Sequence, residues 1–294
     1  MIMKKLKISD CVFNILNYMF MAFVALCTLY PFMYVLFASF SNPTEFVKSS
    51  GLLLKPAGFS FESYMAVLNN KDIYIGYANT LFYVGVGTIL QTMITALFAY
   101  PLSQSKLKYA KLINVMVVVT LFFAGGMIPN YLVVQKLGLL NTRWAIIIPN
   151  LIATYNLLVM KSAYAAVPSS LDDSARIDGA NEFQSFLFII LPNVKATIAV
   201  IVLYYGVASW NSWFSALLYI QDRMKYPLQL FLREILMGAG SKGMGNYSIS
   251  AGSAFREETI KHATTVVATV PILCIYPFIQ RYFVKGVMIG AVKE

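Results

Sequence analysis

The 294-residue chain is 59% hydrophobic and only 12% charged, and its mean hydropathy is +0.66. Soluble domains carry roughly 25% charged residues, so about half of the surface charge that a water-soluble fold would need is missing. Lys and Arg exceed Asp and Glu by 23 to 13, a net charge of +10, but the basic residues are spread over many loops; this excludes a nucleic-acid-binding arm and fits an anionic lipid surface.

The charges leave six long uncharged runs, 11–44, 73–105, 112–135, 144–160, 196–221 and 262–280. A membrane crossing takes about 20 predominantly apolar residues, and a charge at mid-bilayer costs several kcal/mol. The pattern predicts an all-α, polytopic membrane protein of about six transmembrane helices. The first covers about 14–40, with Pro31 in its second half. Lys4, Lys5 and Lys7 precede it, but the apolar stretch is far longer than a signal-peptide core and has no small-residue cleavage site. It is read as a retained helix with its lysines in the cytoplasm, so both termini are cytoplasmic.

An external segment, 41–76, leads to the second helix, about 77–102, which ends at Pro101 and the basic 106–111 turn. The third, about 112–134, contains Gly125, Gly126 and Pro129; the fourth, about 144–164, contains Pro149. A polar cytoplasmic loop, 165–185, precedes the fifth helix, about 186–209. The external segment 210–261 includes the Gly/Ser-rich stretch 238–253, and the sixth helix covers about 263–283, with Pro271 and Pro277. In membranes, neighbouring helices and hydroxyl side chains satisfy the carbonyls that such prolines free. The whole of 1–294 is read as one transmembrane domain. Cys11, Cys27 and Cys274 have no metal or disulfide spacing, and His262 is the only histidine, so no metal site is expected.

One loop carries specific structure. Pro168-Ser169-Ser170 followed by Asp172 and Asp173 gives a Ser-x-x-Asp helix start, and Asp178-Gly179 gives a stop. Asn181 with Gln184 three residues later forms a capping box for a second helix. The residues alone are equally consistent with an amphipathic turn at the membrane surface. The stretch Leu171–Pro192, however, resembles the cytoplasmic loop of binding-protein-dependent importers of the ATP-binding cassette class. Pro168, Leu171, Ala175, Asp178, Gly179, Ala180, Phe186, Leu191 and Pro192 match that loop, while Asp173 stands where Glu is usual and Ser174 where Ala is usual.

Asn79-Thr80-Leu81, Ile128-Pro129-Asn130-Tyr131, Asn141-Thr142, Trp210-Asn211 and the ending around Gln280-Arg281-Tyr282 are similar to maltose-type sugar permeases. Phe123–Pro129 resembles a subgroup that includes uronate-oligosaccharide importers. The resemblance implies a type I importer permease fold in a bacterial cell membrane. It also implies partners: a second homologous permease, two cytoplasmic ATP-binding subunits, an extracytoplasmic sugar-binding protein and the bilayer. Asp173, Ser174, Ala175, Arg176, Asp178, Gly179 and Ala180 would contact the ATPase. The chain has no GxxxxGK[S/T] phosphate loop, so it is expected to bind no cofactor and to be no enzyme, with ATP hydrolysis in a partner subunit.

A sugar pathway needs hydrogen-bonding and aromatic side chains rather than buried charge. Asn79, Asn150, Tyr155, Tyr204, Tyr205, Trp210 and Asn211 are the candidates, with Gln91, Thr92 and Thr95 nearby in sequence; polar residues in spans also serve as interhelical glue. Among alternatives, a peptide or amino-acid permease of the same class stands nearest. An ion-coupled carrier is disfavoured because no Asp or Glu lies in any predicted span.

Overall fold

A computed structural model describes residues 8–49, 51–104, 109–238 and 257–275. Lys4, Lys5, Lys7, Lys106, Lys108, nearly all of 238–253, the end of the last predicted span and the motif around Gln280–Tyr282 lie outside the described residues. The described chain is helical, and its extended pairing amounts to one isolated bridge between Ser41 and Phe59. It divides into two compact units, one of residues up to Asn70 with Ile235–Val270, the other centred on Lys71–Glu234.

The first unit is built on α1, Ile8–Ser39. Residues 12–29 of this helix are exposed around its whole circumference. An apolar helix with no covered face belongs in lipid or against another membrane protein. Two short helices follow, α2 (Pro43–Lys48) and α3 (Glu62–Leu68). Asn42 caps α2 by accepting the Thr44 N–H at 3.0 Å, and Pro43 occupies the first turn, where its missing N–H costs nothing. Ser63 on α3 donates to Thr259 at 2.9 Å, joining it to the helix at 257–275, which is α15 here. His262 of α15 sits between the rings of Tyr34 and Phe46, at 5.7 and 5.8 Å.

In the second unit α4, Lys71–Ser103, is the axis. Its buried positions include Gly76, Thr80, Gly87, Gln91, Thr95 and Ala99, which recur at three- to four-residue intervals and so share one face. Small and hydroxyl residues let helix backbones approach closely in lipid. A Cβ on Gly76 would stand 2.9 Å from the Leu228 Cα, so only glycine admits α14 (Leu228–Leu236) there.

The third, fourth and fifth predicted spans are bent. Helices α5 (Ala110–Phe122) and α6 (Met127–Lys136) meet at 116°. Gly126 makes that corner with φ of +86°, a conformation that costs side-chain-bearing residues 1–2 kcal/mol (roughly). Helix α7 (Trp144–Ile147), extended by a 3₁₀ turn to Asn150, meets α8 (Thr154–Ala165) at 49°. Pro149 cannot donate to the ladder there. The segment predicted as one helix over 186–209 is α10 (Glu182–Ser185), a π turn (Phe186–Ile190), α11 (Leu191–Asn193) and α12 (Lys195–Trp210). It bends by 82° next to Pro192, whose ring excludes the i−4 carbonyl. Among the described residues two helices, or up to five spans if each bent pair is one, are long and apolar enough to cross a membrane.

Packing places α4 between α8 and α12. One buried cluster joins Ala96 and Ala99 to Leu157, Met160, Phe186, Ile201 and Tyr205. A second joins Tyr83 to Ile146, Ile147, Ala216 and Tyr219, bringing in α13, Phe214–Tyr219.

Candidate functional site

The loop singled out by sequence folds as α9, Ser169–Ile177, followed by a sharp corner and α10. Neither serine caps α9, whose N-cap is Pro168 with no side-chain hydrogen bond; the fixed proline φ pre-sets the start instead. At the other end the Ala180 N–H donates to Ala175 O at 2.9 Å and the Gly179 N–H to Arg176 O at 3.1 Å. This is a Schellman stop, which requires the left-handed φ of +84° that Gly179 adopts. The capping box forms as the spacing predicts: Asn181 Oδ1 accepts the Gln184 N–H at 2.8 Å, and Gln184 Oε1 accepts the Asn181 N–H at 2.9 Å.

The corner is locked by charges. Asp172 is buried and accepts from Ser185 Oγ at 2.5 Å and from Arg176 Nε at 3.0 Å. Arg176 Nη2 pairs with Glu182 Oε1 at 2.5 Å. Hydrogen bonds to Asp172 and then to Glu182 push the Arg176 pKa upward, so the clamp stays charged. Ala175 is buried beneath it, while Asp173, Ser174 and Asp178 are exposed and Ser174 Oγ donates to Ser170 O at 2.8 Å. Ile177 is 87% exposed, and nothing lies within 4 Å of the position a Cβ on Gly179 would take. So α9 is fixed to its own chain on one side and presents an apolar knob and a carboxylate on the other. The i,i+4 spacing made the Asp172–Arg176 pair readable from sequence; no sequence signal pointed to Ser185 or Glu182.

The seven candidate pathway residues do not gather in one place. Asn79 is buried and fully engaged: Nδ2 donates to Met224 O at 2.8 Å and Tyr226 O at 3.1 Å, and Oδ1 accepts from Arg143 Nη2 at 2.9 Å. Tyr83 OH donates to Lys225 O at 2.7 Å, and Asn141, at φ +56°, accepts the Gln221 and Asp222 N–H groups on Oδ1. Together these brace the 220–228 segment onto α4. The Met224 N–H and then Lys225 lower the Asp222 pKa, keeping this carboxylate ionised. Arg143 and Asn141 were not anticipated as braces; both lie in a loop, where sequence periodicity is silent.

Tyr155 and Tyr204 form a ring pair at 6.1 Å on an exposed face. Trp210 is buried against Tyr77, with its Nε1 lacking a hydrogen-bond partner. Asn150, Tyr205 and Asn211 do converge, on a cavity of about 350 Å³ that Gln91 also lines. Among the described residues no three His, Cys, Asp or Glu side chains gather as a metal site requires.

Residues 7–289 match the family of binding-protein-dependent transport system inner membrane components, and the chain belongs to that family. It is 39% identical over 281 residues to the polygalacturonan/rhamnogalacturonan transport system permease protein YtcP of Bacillus subtilis, covering 96% of this chain and 98% of that one. Protein LplC of Bacillus subtilis is 38% identical over 287 residues, 96% of this chain and 95% of the relative. The fold matches a crystal structure of a bacterial ABC transporter involved in the import of the acidic polysaccharide alginate. There the TM-score is 0.84 at 30% identity, covering 94% of this chain and 98% of that one. The chain is thus a multi-pass membrane permease component of the importer class, a role that is not itself catalytic.

Proposed function

We propose that this chain forms half of the translocation pathway of an ATP-driven oligosaccharide importer and receives the ATPase stroke through the 168–192 loop. The observation that carries this reading is the clamped helix α9. A polar helix carrying Asp172, Asp173, Arg176 and Asp178 belongs in water, yet Asp172 fixes it rigidly to the helices that lead into the membrane. A surface so built transmits displacement, with Ile177 and Asp173 facing a partner.

In this reading α9 lies in the cytoplasm with both chain termini. Two ATP-binding subunits dock on the paired loops of this permease and a second, homologous one. An extracytoplasmic binding protein delivers the sugar, and ATP hydrolysis takes place in the partner subunits. The exposed circumference of α1 supports a need for lipid and a sister permease to cover it. The relatives' names specify galacturonan-containing and acidic polysaccharides, so oligosaccharides of that class are the substrates to test first.

The test is co-expression. Purified alone, this chain shows neither transport nor ATP hydrolysis. Assembled with its sister permease, ATPase subunits and binding protein, it yields ATP hydrolysis stimulated by loaded binding protein and uptake of the oligosaccharide. Transport by the chain alone in liposomes overturns the reading.

A further inference from the structure

The span made of α7 and α8 is interrupted at residues 151–153, and two side chains from other helices repair it. Gln91 Nε2 on α4 donates to Asn150 O at 2.9 Å. Tyr205 OH on α12 accepts the Ala153 N–H at 3.0 Å while sharing a hydrogen bond with Thr95 Oγ1 at 2.6 Å. Irregular backbone at membrane depth is tolerated where it is buried in protein or lines a cavity. Here it does both, because the cavity of about 350 Å³ lies between the break, Gln91 and the 205–215 segment.

The wall of that cavity has a definite chemistry. Trp213 and Phe214 supply aromatic surface, while Asn150, Ser209, Asn211 and Ser212 supply amide and hydroxyl groups. None of its lining side chains among the described residues is charged. The bond to Asn150 fixes the Gln91 amide so that Oε1 is its acceptor end, and Oε1 has no hydrogen-bond partner although the residue is 5% exposed. A buried polar atom without a partner calls for an explanation, and an absent ligand is one. Gly87 keeps the floor open: a Cβ there would come 3.7 Å from Ser209 Oγ and 3.9 Å from Gln91 Oε1.

We propose that this cavity is a saccharide subsite within this subunit, reading the hydroxyls and apolar face of one sugar ring and not its carboxylate. The inference rests on the oligosaccharide-importer reading above. Its size falls in the range of small-molecule sites, roughly 300–1,000 Å³, and aromatic walls with few polar groups are what such sites share. Without a cation in the wall, a carboxylate has nothing to pair with, so the acidic group of a uronate ring must be read elsewhere.

The test uses the whole complex in proteoliposomes, with saturating loaded binding protein. Its probes are trigalacturonate and the same trisaccharide with its carboxyl groups reduced to alcohols. Gly87→Leu projects a side chain into the cavity, whereas Gly85→Leu, two residues along α4 where nothing lies within 4 Å, does not. Relative to ATP hydrolysed, transport of both probes falls by about tenfold or more in Gly87→Leu and stays at the wild-type value in Gly85→Leu. Wild-type transport in Gly87→Leu overturns the subsite, and so does an equal loss in Gly85→Leu or a loss confined to the charged probe.

Where Gly87→Leu does not assemble, Gly87→Ala and Ser209→Ala decide, since an alanine Cβ meets only ordinary contacts. A severalfold loss in either supports the subsite, and wild-type transport in both overturns it. Failure of the wild-type complex to move either probe instead overturns the oligosaccharide reading itself.

Discussion

Replacing Asp172 tests whether the clamp on α9 transmits force. The carboxylate side chain is 12% exposed and holds two donors from different elements, Ser185 Oγ at 2.5 Å and Arg176 Nε at 3.0 Å. Asp172→Ala removes both and strands the Ser185 hydroxyl in a residue 1% exposed. A hydrogen bond to a charged group contributes about 1.5–3 kcal/mol. Losing the Ser185 bond alone therefore shifts the balance between clamped and released α9 by about 2 kcal/mol, or about thirtyfold. The Arg176 side is 35% exposed and adds little that solvent does not supply. With the clamp released, α9 can still bind an ATPase through Ile177, but displacement is absorbed at the Gly179 corner and does not reach α12. In the reconstituted complex, Asp172→Ala should co-purify with the ATPase subunits while moving severalfold less sugar per ATP hydrolysed. Ser185→Ala removes that same bond while leaving the weaker Arg176 pair, and should show nearly the same loss. A wild-type ratio of transport to hydrolysis in Asp172→Ala, in a complex of normal yield, refutes the reasoning.

Gly179→Val forces a β-branched residue to φ +84° in open space, a backbone cost of about 1–2 kcal/mol; transport should fall with membrane insertion intact, and Gly179→Asn, which tolerates that φ, should restore most of it. Ile177→Asp alters a side chain 87% exposed, so the permease should fold and pair normally but lose ATPase subunits on purification. Asn79→Leu removes three hydrogen bonds from a buried site and should destabilise the 220–228 segment by at least about 2 kcal/mol, read as faster tryptic cleavage near Arg223; unchanged cleavage with altered sugar preference would make Asn79 a pathway residue instead. In a cysteine-free background, an impermeant thiol reagent outside the cell should label Lys55→Cys and miss Asp173→Cys, and the opposite pattern would invert the proposed orientation.

What the sequence made legible follows from what one-dimensional signals encode. The uncharged runs mark length and apolarity, and α1 and α4 are unbroken helices over most of two of them. The Gly179 stop and the Asn181–Gln184 box were readable because both are local geometry within a few residues. The bends of 116°, 49° and 82° were not. Gly126, Pro149 and Pro192 flag them, but proline and glycine also occur in unbroken membrane helices, as Pro31 and Pro101 do in α1 and α4. Whether such a residue breaks its helix depends on what satisfies the freed groups, and that partner is remote. Gln91 and Asn150 are 59 residues apart, Thr95 and Tyr205 are 110 apart. For the same reason, residues grouped by composition as a pathway separated in space, with Asn79 in a brace and Asn150, Tyr205 and Asn211 on a cavity.

The proposed function gains a mechanical link from where these two regions sit on the chain. The clamped corner ends at Asn193, and α12 begins two residues later, at Lys195. Its 16 residues run to Trp210, about 24 Å at the rise of an α-helix. Tyr205, which holds the Ala153 N–H, and Ser209, on the cavity wall, lie in its last two turns. A helix of that length transmits a push or a rotation without storing it, whereas the bend of 82° at its start converts movement of α9 into movement along or about the α12 axis. Displacing Tyr205 would loosen its grip on the 151–153 break and change the cavity, with no signal passing through any other element. Pro192→Ala should therefore act at a distance. By allowing the α11 ladder to close, it would straighten the corner and weaken the response of the cavity to ATP, while leaving α12 folded and the complex assembled. Labelling of Ser209→Cys, in a background lacking the native cysteines, reports this directly. Its rate should change with ATP in the wild-type corner and cease to change in Pro192→Ala, whereas an unaltered ATP response would mean that α12 does not carry the stroke.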